Sequence, residues 1–286
     1  SELRQEMKER NNHYPELERK AQDLLDAVGH SGGPLSHHAA ADLADHLGFS
    51  VHSVSNLPHS TRSVTDLKNR RFYLSRARNP DHDPRSVLLQ AIAAYVLGHG
   101  EPADYSDFLR QRVYTNYFAA ALMMPQKETV KFLKNAKAQR DLAIEDVRDA
   151  FGVSYESAAH RFTNLATEHL GITCHFQKVH ESGIIHKAYE NDGVSFPADH
   201  TGAIEGQQVC RNWTSREVFG VADRFRAFNQ YTDTPAGTYW CTAVVEAHSS
   251  GFYSLSIGVP FDHARWFRGA DTTSRSVSRC PDPTCC

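Results

Sequence analysis

The chain has 286 residues, 40% apolar and 23% charged, with a formal net charge of −3. That length suits two domains of about 100–200 residues each, and the balanced charge excludes the basic coat of a protein that sheathes nucleic acid. No run approaches the roughly 20 apolar residues that span a bilayer, and the polar start Ser1-Glu2-Leu3-Arg4-Gln5-Glu6 has no signal-peptide core, so a cytoplasmic protein without membrane contact is expected. A start on Ser1 reads as a fragment cut from a longer protein.

Residues 1–30 read as a charged lead-in, a helix from Glu6 to Leu25 ended by Gly29. Ser31-Gly32-Gly33-Pro34 breaks the chain, and Ser36 caps a helix to Leu47 with Gly48 at its stop. Phe49 to Val54 alternates as a strand, and Ser63–Leu67 and Arg71–Leu74 flank Lys68-Asn69 in a hairpin pattern. Asp83-Pro84 is a helix start, a capping acid followed by proline at the first helical position. Val87, Leu88, Ala91, Ile92, Tyr95 and Val96 then recur at helical spacing up to Gly98. Further helices are predicted from Tyr105 to Met123, from Pro125 to Gln139, and as a pair at Ala143–Ala150 and Ser154–Leu170 around Gly152-Val153.

Composition changes at Gly171, where β-branched and aromatic residues begin to alternate with polar ones. Ile172–Lys178 and Ile184–Tyr189 flank the hairpin signal Glu181-Ser182-Gly183. Thr214-Ser215-Arg216-Glu217 matches a capping box for a short helix. Tyr239, Cys241, Ala243 and Val245 share one strand face, Tyr253, Leu255, Ile257 and Val259 one face of the next, joined by Ser249-Ser250-Gly251. The expected fold class is α+β: lead-in 1–30, a mostly helical domain 31–170, and a small antiparallel α+β domain 171–286.

Three of the six cysteines lie in Cys280-Pro281-Asp282-Pro283-Thr284-Cys285-Cys286. The prolines keep this segment out of helix, and cytosolic thiols stay reduced, so the pattern suits a soft-metal or iron–sulfur site. Such a cluster needs about four thiolates. Cys210 and Cys241 are the further candidates beside Cys280, Cys285 and Cys286, whereas Cys174 reads as a small buried hydrophobe. A zinc-stapled structural domain competes, but paired C-x-x-C spacings are absent. A frayed cysteine-rich end is the bland alternative.

The segment Tyr114-Thr115-Asn116-Tyr117-Phe118-Ala119-Ala120-Ala121-Leu122-Met123-Met124-Pro125 resembles the E-A-N-x-F-A-A-x-L-L-M-P run of the IrrE-like (M78) zinc-peptidase family. Where that family has H-E-L-x-H, this chain has Tyr95-Val96-Leu97-Gly98-His99. Tyr95 and Tyr114 stand at ligand positions and Val96 at that of the general base. One imidazole cannot hold a catalytic zinc and valine cannot accept a proton, so no enzyme is expected. The aromatic rings then either pack in the core or line a retained ligand cleft.

Cys210-Arg211-Asn212-Trp213 is similar to a C-x-x-W segment, and Ile257-Gly258-Val259-Pro260-Phe261-Asp262-His263-Ala264 to an I-G-C-D-x-x-H-A segment, of the short-chain fatty-acyl-responsive transcriptional regulators, which govern propionate and methylcitrate-cycle genes. With the degenerate peptidase half, the resemblance covers the chain from about residue 30. It implies an acyl-CoA sensor, propionyl-CoA foremost, with a 4Fe–4S cluster, and promoter DNA bound by a helix-turn-helix domain outside this chain. The family's cysteine in the second segment is lost near Val259 and Pro260, so Cys241 or Cys286 is expected to take its part.

Coenzyme A carries phosphates, which call for arginine or lysine. Arg70, Arg71, Lys178, Lys187, Arg211, Arg224 and Arg226 are the basic candidates, with Tyr95, His99 and Tyr114 lining the old metal cleft. Arg224-Phe225-Arg226 is expected to set two guanidinium groups on one strand face. Binding between the domains would shift their orientation. The competing reading is DNA binding through residues 143–170, with His160 and Arg161 as base readers and Glu156 and Glu168 opposing phosphate. Self-association into a homo-oligomer stays open.

Overall fold

The computed structural model describes residues 1–77, 82–282 and 284. Its helices are α1 (Glu2–Glu9), α2 (Pro15–Ala27), α3 (His37–His46), α4 (Pro84–Val96), α5 (Tyr105–Met123), α6 (Gln126–Ala138), α7 (Ile144–Phe151), α8 (Tyr155–Leu170) and α9 (Thr214–Glu217). Its strands are β1 (Ser50–Val54), β2 (Ser63–Asp66), β3 (Arg71–Ser75), β4 (His175–His180), β5 (Ile185–Glu190), β6 (Phe228–Thr234), β7 (Gly237–His248), β8 (Gly251–Pro260) and β9 (Arg275–Val277). The fold is α+β, as the residue pattern implies. Contacts gather into two units: Tyr14–Thr129 with Val147–Ser154, the helical unit, and Ser1–His13, Val130–Asp146 and Tyr155–Cys286, the sheet unit.

In the helical unit, α4 packs against α5 and α3, and α2 against α5. Local chemistry sets the helix starts. Ser36 Oγ accepts from the Ala39 N–H at 3.0 Å, and Asp83 Oδ1 from the Arg85 N–H at 2.9 Å, with Pro84 at the first helical position. Arg85 also donates to the Leu35 and Gly152 carbonyls, at 2.5 and 2.6 Å. β2 and β3 form the expected antiparallel hairpin, Ser63 opposite Leu74. β1 joins them in parallel to β3, which no local signal announces.

The sheet unit carries six strands in the order β5-β4-β8-β7-β6-β9, antiparallel except for β6 and β9. β7 and β8 are buried along most of their length because both faces of the sheet are covered. α8 lies on the face that carries Phe176 and Lys178: the His160 ring is 4.2 Å from that of Phe176, and Glu156 Oε1 is 2.6 Å from Lys178 Nζ. On the other face, Val179, Tyr239 and Cys241 join Val194, Phe196, Val209 and Trp213 in an apolar cluster. Cys241 stands opposite Gly258 and Val244 opposite Leu255, so the Tyr239–Cys241–Ala243 and Leu255–Ile257–Val259 rows occupy opposite faces.

Three expectations are corrected. The lead-in from Glu6 to Leu25 is two helices, parted where Asn11 and Asn12 take left-handed φ of 51° and 53°, with Pro15 opening the second. Asparagine tolerates that region, and proline suits a first turn. The capping box at Thr214 does not form: the N-cap is Trp213, without a side-chain cap, and Thr214 is already helical. Arg224-Phe225-Arg226 is a turn ahead of β6, not a strand.

Candidate functional site

In the helical unit, the residues that replace metal ligands are spent on packing. Tyr95 meets the Phe49 ring at 4.8 Å, and its hydroxyl accepts from Arg70 Nη1 at 2.7 Å. The Arg70 guanidinium lies 5.1 Å from the Phe49 centroid, a cation–π contact. Tyr114 instead packs on Tyr14, ring centroids 5.3 Å apart, in a cluster with Leu17, Leu97 and Tyr117. Tyr117 accepts from the Tyr14 N–H at 3.0 Å and donates to Glu18 at 2.5 Å. Burial lowers the pKa of His99, with Asp107 opposing, and its buried Nδ1 has no hydrogen-bond partner among the described residues. Arg71 reaches Tyr73 at 3.2 Å.

In the sheet unit, the fold brings Cys210, Cys241 and Cys280 into the one apolar cluster, 4%, 0% and 9% exposed. Cys210 and Cys241 are free thiols. The Asn212 N–H points at Cys210 Sγ from 3.4 Å, the kind of contact that steadies a thiolate. The Trp213 Nε1–H in the same cluster is buried without an acceptor among the described residues. Thiols are the donor type that a sulfur-rich inorganic group takes, but membership in one apolar cluster does not by itself set the sulfurs around a common centre. Among the described residues, no three histidine, cysteine, aspartate or glutamate side chains converge in metal-binding geometry. Cys285 and Cys286 lie outside the described residues. Cys174 is fully buried, its thiol pKa raised by desolvation, as a packing role requires.

Two residues that the cysteine pattern does not signal stand beside Cys241. His175 on β4 places Nε2 3.6 Å from Cys241 Sγ, and its Nδ1 bonds Asp192 Oδ2 at 2.6 Å. Burial alone would lower the imidazole pKa; the charges of Asp192 and Cys241 outweigh it and raise it to about 10. Both lie in ordinary loop and strand sequence, so only the strand order β4-β8-β7 reveals them. Cys241 sits opposite Gly258, next to Val259 in the segment where the resemblance expects a cysteine.

The expected cations are dispersed. Lys178 and Lys187 share Glu156, at 2.6 and 3.0 Å, and Lys178 lies 5.0 Å from the Tyr253 ring. Burial would raise the Glu156 pKa, but Lys187, His160 and Lys178 hold it far below the usual carboxylate range. Arg224 rests 4.3 Å over Phe252, and Arg211 is exposed. Arg226 lines a cleft of about 300 Å³ with Asn229, Trp240, Thr242, Phe267 and Arg268. Arg268 is already held by Asp141 and Asp146, at 2.9 and 2.6 Å, while Asn229 Oδ1 is buried without a hydrogen bond.

Residues 47–163 match the IrrE N-terminal-like domain, the peptidase M78 family. Among particular proteins, a 158-residue stretch is 28% identical to the propionyl-CoA carboxylase regulator of Cereibacter sphaeroides, covering 52% of this chain and 32% of that protein. The chain thus spans about a third of the length of this curated relative. A Mycobacterium tuberculosis transcriptional regulator shares the fold, with a TM-score of 0.72 over 96% of this chain and 88% of that one, at 20% identity. Both named relatives are regulators. No helix among the described residues is long and apolar enough to cross a membrane.

Proposed function

We propose that this chain is the ligand-sensing part of a transcriptional regulator of short-chain fatty-acid metabolism. It binds a short-chain acyl-CoA, propionyl-CoA foremost, and a 4Fe–4S cluster held by Cys210, Cys241, Cys280 and one of Cys285 and Cys286. The observation that supports the reading is the gathering of three sequence-distant cysteines in one buried cluster of the sheet unit. When bound, the cluster supplies one-electron redox chemistry and ties the C-terminal segment to the sheet. The residues around it keep water out: Phe196, Trp213 and Tyr239 are at most 8% exposed.

For the thioester, the cleft at Arg226 is the candidate site. Its volume of about 300 Å³ lies at the small end of ligand pockets, so it takes the acyl tail and part of the pantetheine arm, with phosphates outside near Arg226. Asn229 Oδ1 offers an acceptor for a pantetheine amide N–H. The helical unit acts as a scaffold without hydrolysis, since Tyr95 and Tyr114 are engaged in packing and His99 is alone of the three ligand positions. Promoter DNA is bound through a segment outside this chain.

DNA binding by α7 and α8 is the weaker reading. α8 buries Tyr155, Ala158, Ala159, Arg161, Phe162 and Leu165, and a helix spent on its own sheet cannot enter a groove. Arg161, the expected base reader, is 0% exposed.

Anaerobically purified protein is expected to absorb near 400 nm and to contain iron and acid-labile sulfide. Calorimetric titration with propionyl-CoA is expected to saturate below millimolar ligand. A colourless protein with bound zinc would favour the structural-staple alternative, and silence at millimolar thioester would remove the sensor reading.

A further inference from the structure

Three cations from two segments of the sheet unit meet on one indole. The charged groups of Lys137, Arg140 and Arg265 lie 4.8, 5.8 and 4.6 Å from the Trp266 ring centroid, within cation–π range. None of the three forms an ion pair with a carboxylate of the described residues, whereas Lys178, Lys187 and Arg268 are all paired with acids. Lys137 lies in the last turn of α6, and its Nζ donates to the carbonyl of Leu170, the last residue of α8, at 2.8 Å. A bridge ties the two segments together: the Leu142 N–H donates to the Trp266 carbonyl at 3.0 Å, and the Arg268 N–H to the Leu142 carbonyl at 2.8 Å. Arg140 and Arg265 are exposed, so the cations are open to a ligand.

Helix ends account for part of this arrangement, since a cation near a helix C-terminus complements its carbonyls. That explains Lys137 but not Arg140. After α6 the Arg140 N–H bonds the Lys137 carbonyl and the Asp141 N–H the Ala136 carbonyl, both at 2.9 Å, which sets Arg140 at the position where glycine usually ends a helix. Arg140 takes a left-handed φ of 54° there, a strained choice for a side chain of its size. Nearby acids are otherwise engaged: Asp141, Glu145 and Asp146 all hold Arg268, at 2.9, 3.6 and 2.6 Å. His263, on the same turn as Arg265, has a buried Nδ1 without a partner among the described residues. Burial lowers its pKa, Asp262 opposes, and the charges of Lys137 and Arg265 lower it further, so an imidazolium there adds to an excess of positive charge.

We propose that Lys137, Arg140 and Arg265, gathered on Trp266, form a binding site for a phosphate group carried by a small molecule. Two guanidinium forks and an ammonium supply charge-assisted donors for the oxygens of a phosphate dianion, and the dianion relieves the repulsion among them. The indole holds the cations together while the site is empty. Three cations within 5.8 Å of one ring centre cover one or two phosphates, whereas a duplex backbone is met by a row of charges. The site shares no lining residue with the cleft at Arg226, and it rests on neither the cluster nor the thioester reading.

The test is calorimetry on the full chain, with adenosine 3′,5′-bisphosphate, inorganic diphosphate and a short DNA duplex of unrelated sequence as probes. The bisphosphate is expected to saturate below millimolar concentration, and Arg265→Ala and Arg140→Gly each to weaken it about tenfold. Arg140→Gly is also expected to raise the urea midpoint, because glycine suits the left-handed φ; weaker binding by a more stable protein separates the site from the fold. Binding is expected to change the tryptophan emission, and Trp266→Phe to abolish that change. Diphosphate held as tightly as the bisphosphate, and lost in the same variants, would support the site and make free phosphate its ligand. A duplex held more tightly than either would overturn the small-molecule reading in favour of a nucleic-acid surface. No saturation by any probe at millimolar concentration, or binding that both arginine variants leave intact, would sink the proposal.

Discussion

At the scale of single residues, the molecule is sensitive wherever two buried side chains meet over a missing third. Gly258→Ala puts a methyl group into the His175–Cys241 contact, and the strand on either side cannot yield freely. A loss of about 1–3 kcal/mol is expected, read as a lower urea midpoint, with reduced iron uptake in the same variant. His160 shows the same sensitivity to pH. Burial, with Lys187 nearby, lowers its pKa from 6.5 to about 4, so the folded protein holds it neutral against Phe176. The unfolded chain therefore binds a proton that the native state refuses, and stability falls as pH drops from about 6.5 to 4. Glu156 adds to this below its ordinary value of 4.5: its folded pKa is depressed, so its pairing with Lys178 and Lys187 stabilises above that value and is lost in stronger acid. Chemical denaturation across pH should show His160→Phe with a flatter profile between 4 and 6.5 than the wild type.

At the scale of elements, what was readable followed from how local each signal is. Asp83-Pro84 announces α4 because cap and first turn are contiguous, and the structure uses both. Asp83→Ala is expected to cost about 1–2 kcal/mol in urea denaturation, since Arg85 loses the carboxylate that aligns it toward the Leu35 and Gly152 carbonyls. The β2–β3 hairpin and the β7–β8 hairpin were legible for the same reason. β6 was not. Its Phe228-Asn229-Gln230-Tyr231-Thr232 is polar, and the buried Gln230 is satisfied because its Nε2 donates to the Asn212 carbonyl and to the buried Thr232 hydroxyl. Thr214–Glu217 matched a capping box by spacing, yet the helix already includes Thr214 and its N-cap is Trp213, whose indole the apolar cluster holds. Asn11-Asn12 ahead of Pro15 is the break signal that divides the charged lead-in into two helices.

At the scale of the whole molecule, the two units divide labour. Residues 47–163 match the IrrE N-terminal-like domain, and within the helical unit Tyr95 and Tyr114 serve aromatic contacts. His99→Ala is therefore expected to leave the metal content unchanged, whereas Cys210→Ser, Cys241→Ser and Cys280→Ser each lower iron by at least one atom in four, measured on anaerobic protein. For the thioester, Arg226→Ala is expected to weaken binding about tenfold, the loss of one charge-assisted contact at the cleft rim, read by calorimetry. Lys178 and Lys187, by contrast, are committed to Glu156, so their removal is expected to act on stability before it acts on ligand affinity.

By itself the sequence determined the α+β class, most helix ends, the single imidazole in Tyr95-Val96-Leu97-Gly98-His99 and the abundance of thiols near the C-terminus. These depend on composition, on capping chemistry and on residue identity at short spacing, all of which survive in one dimension. Tertiary structure alone decided that Cys210, Cys241 and Cys280 share a cluster, that the expected basic residues scatter instead of forming one patch, and that His175 meets Cys241. The strand order β4-β8-β7 brings residues 175, 258 and 241 side by side. No local propensity encodes such a neighbourhood, because it follows from which edges pair and in what register.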